Sequence, residues 1–190
     1  FLKAAHRDLA GWLSYGYLDS RRKELDDPRE LTASYGVRHS ATLVAQYRVA
    51  PAWTLGSRVT ATSGAPYQPV VARTYDDARG IWRPVYGENN SGRLPPFSRV
   101  DLRATHLFSA FKSSSVCAAY VEVLNLLNRK NPLNVYTSSG VNDETGWLST
   151  ETGASAYSTA EAKDLYNLAQ HNPNNYDIPR MVRFGLKTSF

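Results

Sequence analysis

The chain carries four histidines, His6, His39, His106 and His171, and no two of them stand at a spacing by which side chains share a metal ion. No HExxH run, phosphate-cradling glycine loop, nucleophile elbow or dinucleotide fingerprint occurs. The chain therefore reads as a non-enzyme that needs neither cofactor nor metal. The single cysteine, Cys117, allows no internal disulfide and no cysteine-cluster metal site, and its reading is that of a small apolar filler. Asp26-Asp27 and Asp143-Glu144 offer hard oxygens for Ca²⁺, but the ligand spacing of a calcium loop is missing, so they read as solvated loop charges.

What remains is recognition chemistry. Tyr75, Trp82, Tyr86, Tyr136, Trp147 and Tyr157 stand in long connections near Arg73, Arg79 and Arg83. Aromatic faces beside guanidinium groups can stack on sugars or on aromatic chelators, which makes Tyr75, Trp82, Arg83, Tyr86 and Trp147 the candidate ligand-binding set. The competing reading is that loop side chains pack on one another. A net charge of +5 and a pI near 9.3 raise nucleic acid as a partner. The basic residues are scattered, however, and the one run of three, Arg21-Arg22-Lys23, sits beside Glu24, Asp26 and Asp27, so no nucleic-acid partner is expected.

The elements that must position these residues are strands. With 42% hydrophobic residues the chain should fold, and ten prolines and twelve glycines along it favour many short elements over a few long ones. The apolar residues recur with period two. Val100, Leu102, Ala104 and Phe108 oppose Arg99, Asp101, Arg103 and Thr105; Leu43 and Tyr47 oppose Thr42, Gln46 and Arg48; Leu55 and Val59 oppose Thr54, Arg58 and Thr60; Phe184, Leu186 and Phe190 oppose Arg183 and Lys187. Weaker strands run through Leu13-Tyr17 and from Val116, where Glu122 makes the facing ambiguous. About six strands of roughly 10 to 13 residues result, a length suited to crossing a bilayer at a tilt. No apolar run is long enough for a membrane-spanning helix.

The connections alternate in length. Tight turns at residues 49–52 and 109–114 separate long segments at about 19–37, 64–96 and 129–179. The last of these contains a helix expected from the capping-box spacing of Ser158 and Glu161 and from Ala162, Leu165, Tyr166 and Ala169 at helical intervals, stopped by Pro173. Tyr47 and Trp53 at one tight turn, Phe108 and Phe111 at the other, and the terminal Phe190 would line up as an interfacial girdle. That arrangement favours a membrane barrel wall over a soluble sandwich.

In that orientation Leu43, Tyr47, Leu55, Val100, Leu102, Phe184, Leu186 and Phe190 face lipid. Arg58, Arg99, Asp101, Arg103, Glu122, Arg183 and Lys187 face an aqueous lumen, where they pair across strands, hold a plug or attract an anionic ligand. A soluble β-sandwich or small barrel that binds ligand, and a small structural barrel, are the alternatives. The chain begins at Phe1 without initiator Met or leader, so it is expected to be a piece of a longer protein.

Ser63-Gly64-Ala65-Pro66-Tyr67, then Gly92-Arg93-Leu94-Pro95-Pro96-Phe97 running into Val100-Asp101-Leu102-Arg103, then Tyr120 to Asn128 followed by Arg129-Lys130-Asn131-Pro132, resemble in order the C-terminal barrel of TonB-dependent outer-membrane receptors. The resemblance implies an all-β, antiparallel, up-and-down transmembrane segment. Residues 1–190 would form the last six strands or so of a barrel of about twenty-two, with the plug and earlier strands absent. It further implies a place in the outer membrane of a Gram-negative bacterium, and import of a scarce ligand such as a siderophore, vitamin or oligosaccharide with energy relayed by TonB. The implied partners are outer-membrane lipid, the rest of the barrel and its plug, the TonB complex through an N-terminal part not in this chain, and the barrel assembly machinery through the Phe190 strand.

Overall fold

The computed structural model describes residues 1–23, 25, 28–109 and 116–189, without the side chain of Ser189. Asp26, Asp27, Phe111 and Phe190, each given a role above, lie outside the described residues. In chain order the strands are β1 (Leu2–His6), β2 (Leu9–Tyr17), β3 (Arg21–Lys23), β4 (Glu30–Thr32), β5 (His39–Ala50), β6 (Trp53–Thr62), β7 (Pro66–Tyr67), β8 (Val70–Asp76), β9 (Ile81–Tyr86), β10 (Gly92–Arg93), β11 (Phe97–Ser109), β12 (Val116–Leu124) and β13 (Met181–Ser189). Two short helices, α1 (Glu151–Ala156) and α2 (Ala160–Gln170), lie between the last two strands.

Seven strands form one open antiparallel sheet in the order β1-β2-β5-β6-β11-β12-β13, so each pairs with the sheet strand that precedes it in the chain. β1 and β13 are the two edges and do not close on each other. The expected six strands are thus seven. Leu2–His6 is the addition: its Ala4-Ala5 pair hides the alternation, and its hairpin turns at Arg7-Asp8, without glycine, asparagine or proline, through a left-handed Arg7 (φ 49°). Pairing with β2 along the whole of β1 supplies what local propensity does not. The odd count also places Phe1 at the long-connection end of the sheet, not at the short-turn end that an even count requires.

The single expected helix is two. α2 is capped by Thr159, whose hydroxyl accepts from the Ala162 amide at 3.2 Å, and not by Ser158. α1 has its own cap in Thr150, which accepts from Gly153 at 3.0 Å.

The register assigns every strand side chain to a face. One row reads Leu2, Leu13, Leu43, Val59, Val100; another reads Leu9, Tyr47, Leu55, Ala104, Val121, Phe184. The opposite face carries Lys3, Trp12, Val44, Arg58 and Asp101 in one row and Gln46, Gly56, Arg103, Glu122 and Arg183 in another. This settles β12: Val121 and Val123 stand on the apolar side, Tyr120, Glu122 and Leu124 on the polar side. The left-handed Asn125 (φ 50°) ends the strand before Leu126 can continue the pattern.

Little is packed. Among the described residues Ala33, Pro66, Cys117 and Leu124 are the buried apolar side chains, and the surface amounts to 13286 Å². A compact chain of 21.1 kDa should expose about 9,000 Å². The long connections are hydrogen-bonded to one another and leave the middle of the apolar face exposed.

Candidate functional site

The apolar face is the first candidate surface. Leu43, Tyr47, Leu55, Val100, Leu102, Phe184 and Leu186 share this one face of the sheet, and Phe184 is 77% exposed. Across all seven strands the described residues of this face include no Asp, Glu, Lys or Arg. Phe184 apart, which stands within β13, its aromatic rings gather at the two ends. Tyr47, Trp53 and Phe108 stand by the short turns, with the His106 ring tilted against Trp53 at 4.5 Å, while Tyr15 and Tyr17 stand by the long connections against His39. The two bands are about 27 Å apart along β5, or about 20 Å once a barrel-like tilt is allowed for.

The opposite face holds the expected charged set and pairs much of it. Arg99 donates from Nε to Asp101 at 3.2 Å and from Nη1 to Asp177 at 3.0 Å, and Asp101 also accepts from the buried amide of Asn125 at 2.9 Å. Glu122 accepts from Arg183 at 2.8 Å. Arg103 lies 3.8 Å over the Tyr120 ring, which in turn covers Gly185, where a side chain would collide with it. Arg58 is opposite Asp101 and exposed, and Lys187 is opposite Ala118 and exposed. A hollow of about 320 Å³ between Gln46, Arg58, Asp101, Arg103 and Glu122 is lined by both arginines and carboxylates. This face suits cross-strand pairing against water or a polar partner.

The long connections form the third surface, and they are tied together. Asn90 Nδ2 donates to Thr32 O at 2.7 Å, Arg93 donates to Gly36 O, and Val70 N donates to Thr137 O at 2.8 Å. The hairpin β8-β9 and the 125–180 connection enclose a cleft of about 470 Å³ lined by Arg73, Trp82, Arg83, Thr145, Trp147 and Tyr166, among others. The Arg73 guanidinium sits 4.7 Å from the Trp82 ring and 5.3 Å from the Trp147 ring.

Of the candidate ligand-binding set, Trp82, Arg83 and Trp147 meet here. Tyr75 backs Trp82 at 5.2 Å, and Arg83 is held by Asp76 at 2.7 Å. Tyr86 does not line the cleft: it pairs opposite Val70 at the far end of the hairpin. Tyr136 and Tyr157 pack inside the connection, Tyr136 donating to Gln170 O at 2.7 Å and the Tyr157 ring tilted against Tyr166 at 4.7 Å. Ring faces, guanidinium groups and the Thr145 and Tyr166 hydroxyls equip the cleft to stack on and hydrogen-bond a small polar molecule. No group of three His, Cys, Asp or Glu among the described residues is placed to hold a metal.

Sequence reasoning passed over the asparagines that hold this scaffold. Asn125, fully buried, donates from Nδ2 to Arg129 O at 3.0 Å and Ile178 O at 2.9 Å and accepts from Arg129 N at 3.0 Å. Asn131, also fully buried, pairs with both backbone groups of Ser98 at 3.0 and 2.8 Å, imitating a strand partner. The left-handed Asn128 accepts from Arg180 N at 3.0 Å. The only signal in the sequence is their place just past an apolar run, where asparagine tolerates positive φ.

In the same connection, burial first and then a hydrogen bond and the negative charge of Asp143 push the Tyr176 phenol up to about 12. The ordinary phenol ionises near 10, so the unfolded form loses its proton first. Stability is full below pH 10 and falls as pH rises from 10 to 12. An ultraviolet phenolate titration should show a late component, and Tyr176→Phe should remove it.

Comparison with family models, with curated proteins and with solved structures finds no match to this chain.

Proposed function

We propose that the chain is part of the wall and outer rim of an outer-membrane transport barrel. It would capture a scarce extracellular ligand, a siderophore, vitamin or oligosaccharide, among its long connections, for import with energy relayed by TonB. The observation that carries this reading is the apolar face, which spans seven strands without one Asp, Glu, Lys or Arg among its described strand residues and whose large apolar side chains stay exposed. A soluble sandwich would seal such a face against a second sheet. A bilayer seals it with hydrocarbon, while the charged face turns to water, where its arginines avoid the cost of several kcal/mol that lipid imposes. In this reading the aromatic bands lie at the headgroup levels, and the cleft around Arg73 opens outside the cell.

The full-length protein should stay with the outer membrane through an alkaline carbonate wash. Recovery in the aqueous fraction would remove the reading. Facing is checked with single-tryptophan variants: bromine-labelled acyl chains should quench Trp53, and aqueous iodide should quench Trp82. The reverse pattern would invert the assignment.

A further inference from the structure

At the long-connection end of the apolar face lies a cleft of about 350 Å³ whose lining includes His39, Ala41, Ala61, Ser63, Ser98 and Arg129. Its one cation is unusually well placed. The backbone of Arg129 is gripped at both its amide and its carbonyl by the buried Asn125 side chain, each at 3.0 Å. Its guanidinium is then oriented by Nη1 donating to Ser98 Oγ at 2.6 Å and Nη2 donating to Pro96 O at 3.1 Å. Both anchors are neutral, and among the described residues no carboxylate pairs with Arg129. A guanidinium has five N–H donors, so three stay available on a group whose direction is already set.

Across the cleft, the exposed His39 engages the Tyr15 hydroxyl through Nδ1 at 2.9 Å and the Ser63 hydroxyl through its backbone amide at 3.0 Å, which leaves Nε2 for another partner. Between them Ala41 and Ala61 are directly paired and make a shallow floor, and the next row toward the middle of the face is Leu43, Val59 and Val100. Polar donors above, small residues between and branched apolar residues below match an amphiphile standing along the strands. We propose that this cleft binds the phosphate-bearing headgroup of a bilayer lipid, Arg129 taking the phosphate and the acyl chains running over Leu43, Val59 and Val100. The inference rests on the lipid-facing reading of this surface and adds to it a specific headgroup site.

The test uses full-length protein purified in mild detergent and native mass spectrometry with added bisphosphorylated lipid A, the same lipid stripped of phosphate, and inorganic phosphate. Wild-type protein should retain phosphorylated lipid A through a wash that removes the stripped lipid. Arg129→Gln should lower that retention by about tenfold or more, the scale of losing a charge-assisted bidentate contact. Ala61→Phe, which fills the floor and leaves every charge in place, should lower it too, so a folding defect in one variant does not decide the matter. Equal retention by Arg129→Gln, or equal binding of the stripped lipid, would overturn the site. Full displacement by millimolar inorganic phosphate would overturn the lipid as its occupant. Release of the protein from membranes by carbonate is a separate outcome and counts against the lipid-facing reading itself.

Discussion

Leu102→Arg is expected to cut the protein assembled in outer membranes by at least about tenfold, whereas Arg103→Ala, one residue along the same strand, should leave assembly within about twofold. Leu102 lies on the apolar face between Ser57 and Val123 and is 39% exposed. An arginine near the middle of a lipid-facing strand costs about 2–4 kcal/mol, and the neighbouring rows offer no carboxylate to offset it. Arg103 points the other way, over the Tyr120 ring. Its removal gives up one cation–π contact of about 0.5–1 kcal/mol. Quantifying the folded, heat-modifiable band in isolated outer membranes checks the pair. Equal losses would sink the assignment of faces.

Asn125→Ala should loosen the 125–180 connection by about 3–5 kcal/mol, since it removes three side-chain hydrogen bonds inside a buried site and leaves alanine at a left-handed φ of 50°. Limited proteolysis should then cut within that connection while the sheet strands stay protected. Asn125→Gly separates the two contributions, because glycine accepts the backbone angle but restores none of the bonds. If glycine behaves like wild type, the bonds are not what holds the loop. The aromatic cleft should fail together with this anchor, because Trp147 and Tyr166 both belong to the connection that Asn125 ties to the end of β12. Trp82 and Arg73, carried by the hairpin β8-β9, should stay in place.

Much of this was legible because strand chemistry has period two. Leu43 against Thr42, Leu55 against Thr54 and Leu102 against Arg103 each announce a face without any tertiary knowledge, and the alternation of tight turns with long connections announces the order of pairing. The helix near Ala162 was legible from its spacing, though its cap was misplaced by one residue, since Ser158 and Thr159 are chemically equivalent caps and only backbone geometry chooses between them.

Other features had no local trace. β1 exists because β2 offers it an edge, not because Leu2-Lys3-Ala4-Ala5-His6 prefers to be extended. The roles of Asn125 and Asn131 depend on carbonyls and amides up to 53 residues away in the chain. The Arg73 sandwich depends on a hairpin and a loop that meet only once both are folded. The sequence by itself determined which side chains share a face, because that follows from the geometry of one strand. Only the tertiary structure decided which loop residues converge, which charges are paired and which strand lies at each edge, because those depend on contacts between segments whose separation along the chain carries no periodic signal.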